Sequence, residues 1–475
     1  MNPATQSPAD LLTLATDMVQ RALRAGAHDA EVTVSEGDEF STTVRMGEVE
    51  NLKESGSRGI GLRVLLHGDN GYRVASTSSS DFTPDGLDHL VRGAMALAAV
   101  TSEDPFAGLP EPGSFGQLSQ DLHLYHEDVN SLPDRGPHGQ VHVRGVATAD
   151  RIALARRAEE ASLKGDARLI NSDGASFEAA TGSTAFANSR GFAGAYRSSY
   201  CGLSASPIAR GADGQMQRDY WYTNSRSLAQ LESPEAVGEE AARRTLRMLD
   251  ARRVPTQQVP IVFSPEMARG IIGSLFNAIS GDAIWRNASF LAGKLGQSVA
   301  APQLTLIDDG TLPGGFGSAP FDGEGLATRR NVFVRNGVLE SYVLHGYTAR
   351  KLKMASTASA GRGLAGNPYT RSYNLFIEAG SQTPEEILSS TRTGLYVTRL
   401  MGQGVNIVTG DYSRGAAGLW IEDGTLTYPV QEITIAGNLR DMLQNISAIG
   451  NDLVFRSSTA APTLRIEGMI VAGGE

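Results

Sequence analysis

The sequence predicts an α+β protein of two domains, in which antiparallel sheets and helices are segregated along the chain. Three observations carry this. Helical and strand-like stretches come in blocks and do not alternate as βαβ units. Short alternating apolar runs are closed by turn dipeptides such as Asn70-Gly71 and Asn336-Gly337. Glycine is abundant: 54 of 475 residues, about 11% against an ordinary share near 7%. A chain of this length can bury a large core.

Ser7-Pro8-Ala9-Asp10 opens a first helix, with Ser as N-cap, Pro in the first turn and an acid behind it. Leu11, Leu14, Ala15, Met18, Ala22 and Leu23 share one face, and Gly26 ends the helix. The apolar period then changes to two. Residues 31–34, 40–45, 48–53, 59–66 and 72–77 read as strands of an antiparallel meander, turned at Met46-Gly47 and Asn70-Gly71. Thr83-Pro84 starts a second helix carrying Leu87, Leu90, Val91, Met95 and Leu97.

Residues 103–146 are rich in Pro, Gly, Asp and His, and read as a linker-like connector with some extended pieces. A helix over 147–164 follows, then strands over 167–171, 175–189, 191–205 and 214–222, then a helix over 233–249. Helix, strands, helix thus occurs twice, which hints at a duplication without a residue-level repeat. The stretch 255–260, with Pro at both ends, divides the chain into an N-terminal α+β domain, 1–255, and a C-terminal strand-rich domain, 256–475. In the second, residues 259–263 read as a strand. Ser264-Pro265-Glu266 opens a helix to Ile279, and further helices are expected over 346–352, 384–390 and 438–446.

Composition removes several function classes. The formal net charge of −10 and the short, scattered Arg pairs argue against a nucleic-acid surface, which needs clustered cations. Cys201 is the only cysteine, so no internal disulfide or multi-cysteine metal site exists, as suits a reducing compartment. It lies mid-strand with no neighbouring His and reads as a buried structural thiol. The sequence shows no signal-peptide pattern and no run of eighteen apolar residues, so a soluble, cytoplasmic protein without membrane contact is expected.

The most specific stretch is 401–418, Met-Gly-Gln-Gly-Val-Asn-Ile-Val-Thr-Gly-Asp-Tyr-Ser-Arg-Gly-Ala-Ala-Gly, a glycine-dense segment between apolar runs. It matches neither phosphate-loop pattern, so nucleotide binding is not expected. Together with Tyr-Pro-Val-Gln-Glu-Ile-Thr-Ile-Ala-Gly-Asn at 428–438 and Ile-Gly-Asn-Asp-Leu at 449–453, it resembles the TldD/PmbA (peptidase U62, "modulator of DNA gyrase") family. Within that family the chain looks like the PmbA, or TldE-like, subunit. The resemblance implies the family's two-domain fold.

It also implies a division of labour. In the family's peptidase subunit, one helix carries His-Glu-x-x-x-His ahead of a Gly-Asp pair, and a cysteine near the C-terminus completes the zinc site. Counting back from Gly281-Asp282, the matching positions here are Ile272, Gly273 and Asn277, and the region matching the cysteine is 456–460, Arg-Ser-Ser-Thr-Ala. No catalytic residue and no metal ligand is therefore expected in this chain; zinc is expected in a TldD-like partner. The resemblance implies a non-catalytic subunit of a heteromeric peptidase that degrades or trims unfolded peptides, leader peptides included. Candidate residues for its peptide groove are Asp411, Tyr412, Arg414, Arg362 and Asn374. A homodimer is the default when the partner is missing.

Two other readings stand beside this one. His123, His126, His138 and His142 have spacings from which a metal site of an autonomous hydrolase can be assembled. Alternatively, the chain is a scaffold or regulator that never touches peptide. Asp322 and Glu324 form an acid pair in a turn, read as bonded to backbone or to Arg329 and Arg330.

Overall fold

The computed structural model describes residues 7–119, 121–135, 141–212 and 214–474, with backbone alone over 131–135 and 141–145. The first half runs α1 (Pro8–Arg24), β1 (Asp29–Arg45), β2 (Glu48–Gly68), β3 (Gly71–Ser79), α2 (Pro84–Ala99) and β4 (Glu103–Asp104). After a hairpin of β5 (Ser131–Arg135) and β6 (Val141–Gly145) come α3 (Thr148–Leu163), β7 (Leu169–Asn188), β8 (Ala193–Arg210), β9 (Met216–Arg218), β10 (Trp221–Ser225) and α4 (Pro234–Leu246). Helix α1 begins as its sequence requires: Ser7 and Asp10 form a reciprocal capping box with Pro8 behind the cap.

One sheet holds most of these strands, in the order β10-β8-β7-β1-β2-β3-β4, with β9 on β8. The two helix–strands–helix blocks meet at the antiparallel β1–β7 pair. The sheet is thus arranged symmetrically about its centre, as the repeated element order suggests. All four helices cover one face. Val32, Val34, Ile60 and Leu62 pack under α1 and α2, and Phe40, Phe177, Cys201 and Leu203 pack under α3 and α4.

The expected strand breaks near 35–39 and 54–58 do not occur: β1 and β2 are each continuous through them. Ser35 to Glu39 is polar and reads as a loop, yet it pairs with β2 on one side and β7 on the other. Ladder hydrogen bonds on both edges override a weak local preference.

The second half comprises β11 (Gln257–Phe263), α5 (Pro265–Ala278), α6 (Gly281–Trp285), β12 (Leu306–Asp309), β13 (Arg330–Arg335), β14 (Val338–Leu339), α7 (Gly346–Leu352), β15 (Ala360–Gly361) and β16 (Tyr369–Thr370). It continues with β17 (Leu375–Ile377), α8 (Pro384–Ser389), β18 (Thr393–Met401), β19 (Asp411–Glu422), β20 (Thr425–Asn438), α9 (Leu439–Gln444), β21 (Ile446–Ile449), β22 (Thr459–Ala460) and β23 (Leu464–Ala472). Strands β11-β18-β19-β20-β23 close on themselves, because β23 also pairs with β11. A second sheet runs β14-β13-β12-β17-β22. Their shared core includes Ile261, Phe263, Ile272, Leu275, Phe333 and Trp420. The five-residue helix α6 was not expected from the sequence; five residues are too few to show a 3.6 period.

The second half docks on the helix-free face of the large sheet. Leu364 lies so close to β2 that a Cβ at Gly61 would stand 1.6 Å from its carbonyl oxygen. Only glycine permits that approach. Among the described residues no helix is long and apolar enough to cross a membrane.

Candidate functional site

Helix α5 is built for two environments. Its inner face buries Ile271, Ile272, Leu275 and Phe276. Its outer face presents Gly270, Gly273, Ser274 and Asn277, spaced three and four residues apart. A Cβ at Gly273 would meet no heavy atom within 4 Å, and one at Gly270 would meet only Arg414 Nη1, at 3.5 Å. At its two glycines the outer face is therefore bare backbone, with open space over Gly273.

These are the positions matched to the zinc motif, and the residues do not fit the ion. Ile272 is a fully buried aliphatic side chain. Gly273 has no side chain to act as a base, and Asn277 offers an exposed amide. None supplies the imidazole, thiolate or carboxylate of a zinc site. The 456–460 loop stands beside this helix, where Arg269 Nη1 donates to Ser457 Oγ at 3.0 Å. The helix and the 456–460 segment are therefore neighbours, and neither offers ligand chemistry at the matched positions.

The glycine-dense segment lies against the same helix. Residues 402–410 fold back on β19: Ser413 N–H donates to the Gly404 carbonyl at 2.7 Å, and Asn406 N–H to the Asp411 carbonyl at 2.9 Å. Asp411 is exposed and holds this turn, accepting from Thr409 Oγ1 at 2.6 Å and Asn438 Nδ2 at 3.4 Å. Tyr412 is only 2% exposed. Burial pushes its hydroxyl up to about 12, against the pull of the nearby Arg414 charge. Neither the Tyr412 hydroxyl nor Arg414 Nε has a hydrogen-bond partner. Arg414 reaches across to the bare face of α5 at Gly270.

Arg362 and Asn374 stand apart from this group and serve the chain's own structure. Asn374 is fully buried; its Nδ2 donates to the Asp309 carbonyl at 2.6 Å and Ser318 Oγ at 2.7 Å, and its Oδ1 accepts from Gly317 N–H at 2.9 Å. Arg362 donates to the Gly323 carbonyl at 2.6 Å and to Glu31 Oε1 at 2.7 Å. Glu31 also takes Arg63, so a buried carboxylate and two guanidiniums tie β1 and β2 to the second half.

The acid pair is buried too. Asp322 accepts the N–H groups of Glu324, Leu326 and Ala360, and Glu324 accepts that of Gly346 at 2.7 Å. Backbone amides satisfy them, whereas Arg329 and Arg330 bond elsewhere. Cys201 is fully buried and donates to the Ser225 carbonyl at 3.4 Å; burial pushes its thiol up to about 12.

The four histidines are spread differently. His123 is exposed beside Asp121 at 3.3 Å, and His126 precedes a single helical turn. His142 lies on the β6 backbone opposite Asp134, and His138 lies outside the described residues. Among the described residues no group of three or more His, Cys, Asp or Glu is placed to hold a metal.

The structure adds a surface that no motif announces. On the helix-free face, Ser35, Gly37, Tyr196 and Tyr200 line a polar trough of about 400 Å³, walled by Arg226 and Arg371. A second hollow of about 360 Å³ shares Tyr200 and runs over Gly202 and Ser204 to Tyr220, Tyr222 and Asn224. Asn224 Nδ2 donates to the Arg456 carbonyl at 3.1 Å, so the trough ends at the loop beside α5. The period of two along β8 would have put 196, 198, 200, 202 and 204 on one face. Which face stays open depends on where the second half docks.

Comparison with known proteins places the whole chain. Residues 30–98, 142–249 and 256–473 match the family models for domain 1, the central domain and the C-terminal domain of the PmbA/TldA metallopeptidases. The chain is 39% identical to "Metalloprotease PmbA" of Escherichia coli O157:H7, over 95% of this chain and 94% of that protein. Its fold is similar to the crystal structure of a "putative modulator of DNA gyrase" from Bacteroides thetaiotaomicron VPI-5482. The TM-score there is 0.86 at 28% identity, covering 97% of this chain and 98% of that one. It is also similar in fold to TldE from Thermococcus kodakarensis, with a TM-score of 0.82 at 20% identity, over 96% and 99% of the two chains.

Proposed function

Because the chain belongs to the PmbA/TldD metallopeptidase family, we propose that it is the non-catalytic, TldE-like subunit of a heteromeric zinc peptidase acting on unfolded peptides. One observation carries the reading: the outer face of α5 combines ligand-free positions with open space. The positions matched to the zinc motif hold Ile272 and Asn277 for its histidines and Gly273 for its base, so the zinc and the general base belong to a TldD-like partner. Bare helix backbone flanked by Arg414 suits a peptide that must pass close by. The trough over the large sheet, lined with Ser, Gly and Tyr, offers hydrogen bonds and ring faces with little demand on side-chain identity. Low sequence specificity and a preference for unstructured chains, leader peptides among them, follow from such a lining. The complex works in the cytoplasm, and in the partner's absence the chain pairs with itself.

The test is cleavage of an unfolded peptide by this chain alone, by a TldD-like partner alone, and by the two mixed, each with zinc. Cleavage confined to the mixture supports the proposal. EDTA-sensitive cleavage by this chain alone overturns it and makes His126→Ala the first variant to examine. Full activity of the mixture with Arg414→Ala would instead favour a scaffold that never contacts peptide.

A further inference from the structure

A second site lies between the two halves, away from α5. It is a cleft of about 400 Å³ with walls from both. The first half supplies Arg63 and Asp104; the second supplies Asp282, Glu324, His345 and Arg350, with Arg286 at the exposed rim. The peptidase reading makes no use of it.

His345 is the informative residue. It is 2% exposed, yet neither ring nitrogen has a hydrogen-bond partner. Its nearest carboxylate, Asp282 Oδ2, stands 3.6 Å from Nε2, beyond hydrogen-bond range. Tyr347 stacks beside the ring, with centroids 6.3 Å apart. A buried imidazole that lines a cavity, with a carboxylate at 3.6 Å and no hydrogen bond within range, leaves a hydrogen-bonding position open to a ligand.

The surrounding charges are held in place by the protein itself. Glu324 is fixed by the Gly346 N–H at 2.7 Å, Asp282 by the Thr370 hydroxyl at 2.9 Å, and Arg350 by the Phe106 carbonyl at 2.6 Å. Three carboxylates and three guanidiniums therefore line one small space, and Glu324, Asp282 and Arg350 among them are held by the protein itself. A simple anion meets the carboxylates there, and a simple cation meets the guanidiniums. A small molecule carrying both charges a few bonds apart pairs with each set and offers an acceptor to His345.

We propose that this cleft binds a small α-amino zwitterion, a free amino acid or a dipeptide. Its carboxylate lies toward Arg286, Arg350 and His345, and its ammonium toward Asp282 and Glu324. Because both halves contribute walls, the bound ligand stabilises their docking.

The test is calorimetric titration of the full chain with individual L-amino acids and with glycylglycine. Acetate and methylamine serve as single-charge controls. Arg286→Ala removes a charge at the exposed rim, and His345→Gln replaces the buried ring by another polar side chain; circular dichroism checks that both variants fold. The expected result is saturable binding of at least one zwitterion, weakened about tenfold in each variant, the size of one lost charge-assisted contact. The single-charge controls give no saturable heat. The proposal is overturned if no zwitterion binds, if acetate or methylamine binds as tightly, or if both variants bind as the parent does.

Discussion

Replacing Glu31 by Gln isolates what joins the two halves. Glu31 is fully buried, and its Oε1 accepts from Arg362 Nη2 at 2.7 Å and from Arg63 Nη1. Both guanidinium side chains are 7% exposed. The substitution keeps the shape and one acceptor but leaves two buried cations unneutralised. Breaking a buried pair in this way costs about 3–5 kcal/mol, a large part of a typical total of roughly 5–15. Urea unfolding followed by tryptophan fluorescence reports on both sides of the joint, with Trp221 in the first half and Trp285 and Trp420 in the second. The expected outcome is a lower midpoint, with the Trp221 signal separating from the others as the halves lose their tie.

The pH dependence has a fixed sign. Burial pushes the Glu31 carboxyl up, but the Arg362 and Arg63 charges more than offset this and hold it below the usual range. A depressed acid stabilises the fold above its unfolded value, near about 4.3, and that contribution is lost as the pH falls. A loss under about 1 kcal/mol in Glu31→Gln would place the triad with surface pairs and refute the reasoning. So would a failure of Arg362→Met to recover part of the loss when combined with Glu31→Gln.

Three further outcomes are expected. Gly273→Leu should raise stability, by up to about 1 kcal/mol from helix propensity, because its side chain meets open space; it should lower peptide cleavage by the mixed subunits, and unchanged cleavage would show that nothing passes over α5. Burial pushes both Asp308 and Asp322 up to about 7, with the neighbouring Glu324 adding to the second. Each contribution is fully present below about pH 4, near the unfolded value, and is lost as the pH rises from there through about 7, so the urea midpoint should fall between about pH 4 and 7 and level off above, and Asp322→Asn should flatten that fall. Cys201, buried with its thiol pushed up to about 12, should resist a thiol reagent in the native protein and react once urea unfolds it; prompt native labelling would contradict its burial.

The elements with strong local signals were legible in the sequence. Capping at Ser7 and Thr83, and the period of two along β8, are properties of neighbouring residues. The long β1 and β2 strands were legible only in pieces, because Ser35 to Glu39 is held extended by strands that come from elsewhere in the chain. The candidate site divides the same way. Ile272, Gly273 and Asn277 are found by counting along one helix, and Asp411, Tyr412 and Arg414 by a local motif. Arg362 and Asn374 look like free polar groups in sequence, but their partners are Glu31 and Asp309, far along the chain. The His345 cleft combines both halves and leaves no local trace at all.

The same separation of local from distant causes explains how α5 stays helical with two glycines on its outer face. Two mid-helix glycines, Gly270 and Gly273, each weaken it by about 1 kcal/mol relative to Ala. That loss is small beside the inner face. Ile271, Ile272 and Leu275 are each at most 1% exposed, and burying such a side chain contributes about 1.5–3 kcal/mol. Ile272 is the pivotal case, since the position that the resemblance aligns with a histidine is part of the core. A histidine there would bury an imidazole among aliphatic neighbours, so building a zinc site on this helix requires repacking the core as well as adding ligands. The outer face carries no such constraint, and its side chains are free to answer to whatever lies over it. Bare backbone there, where a Cβ at Gly273 meets open space and most residues would strengthen the helix, is what the proposed passage for an extended chain would require.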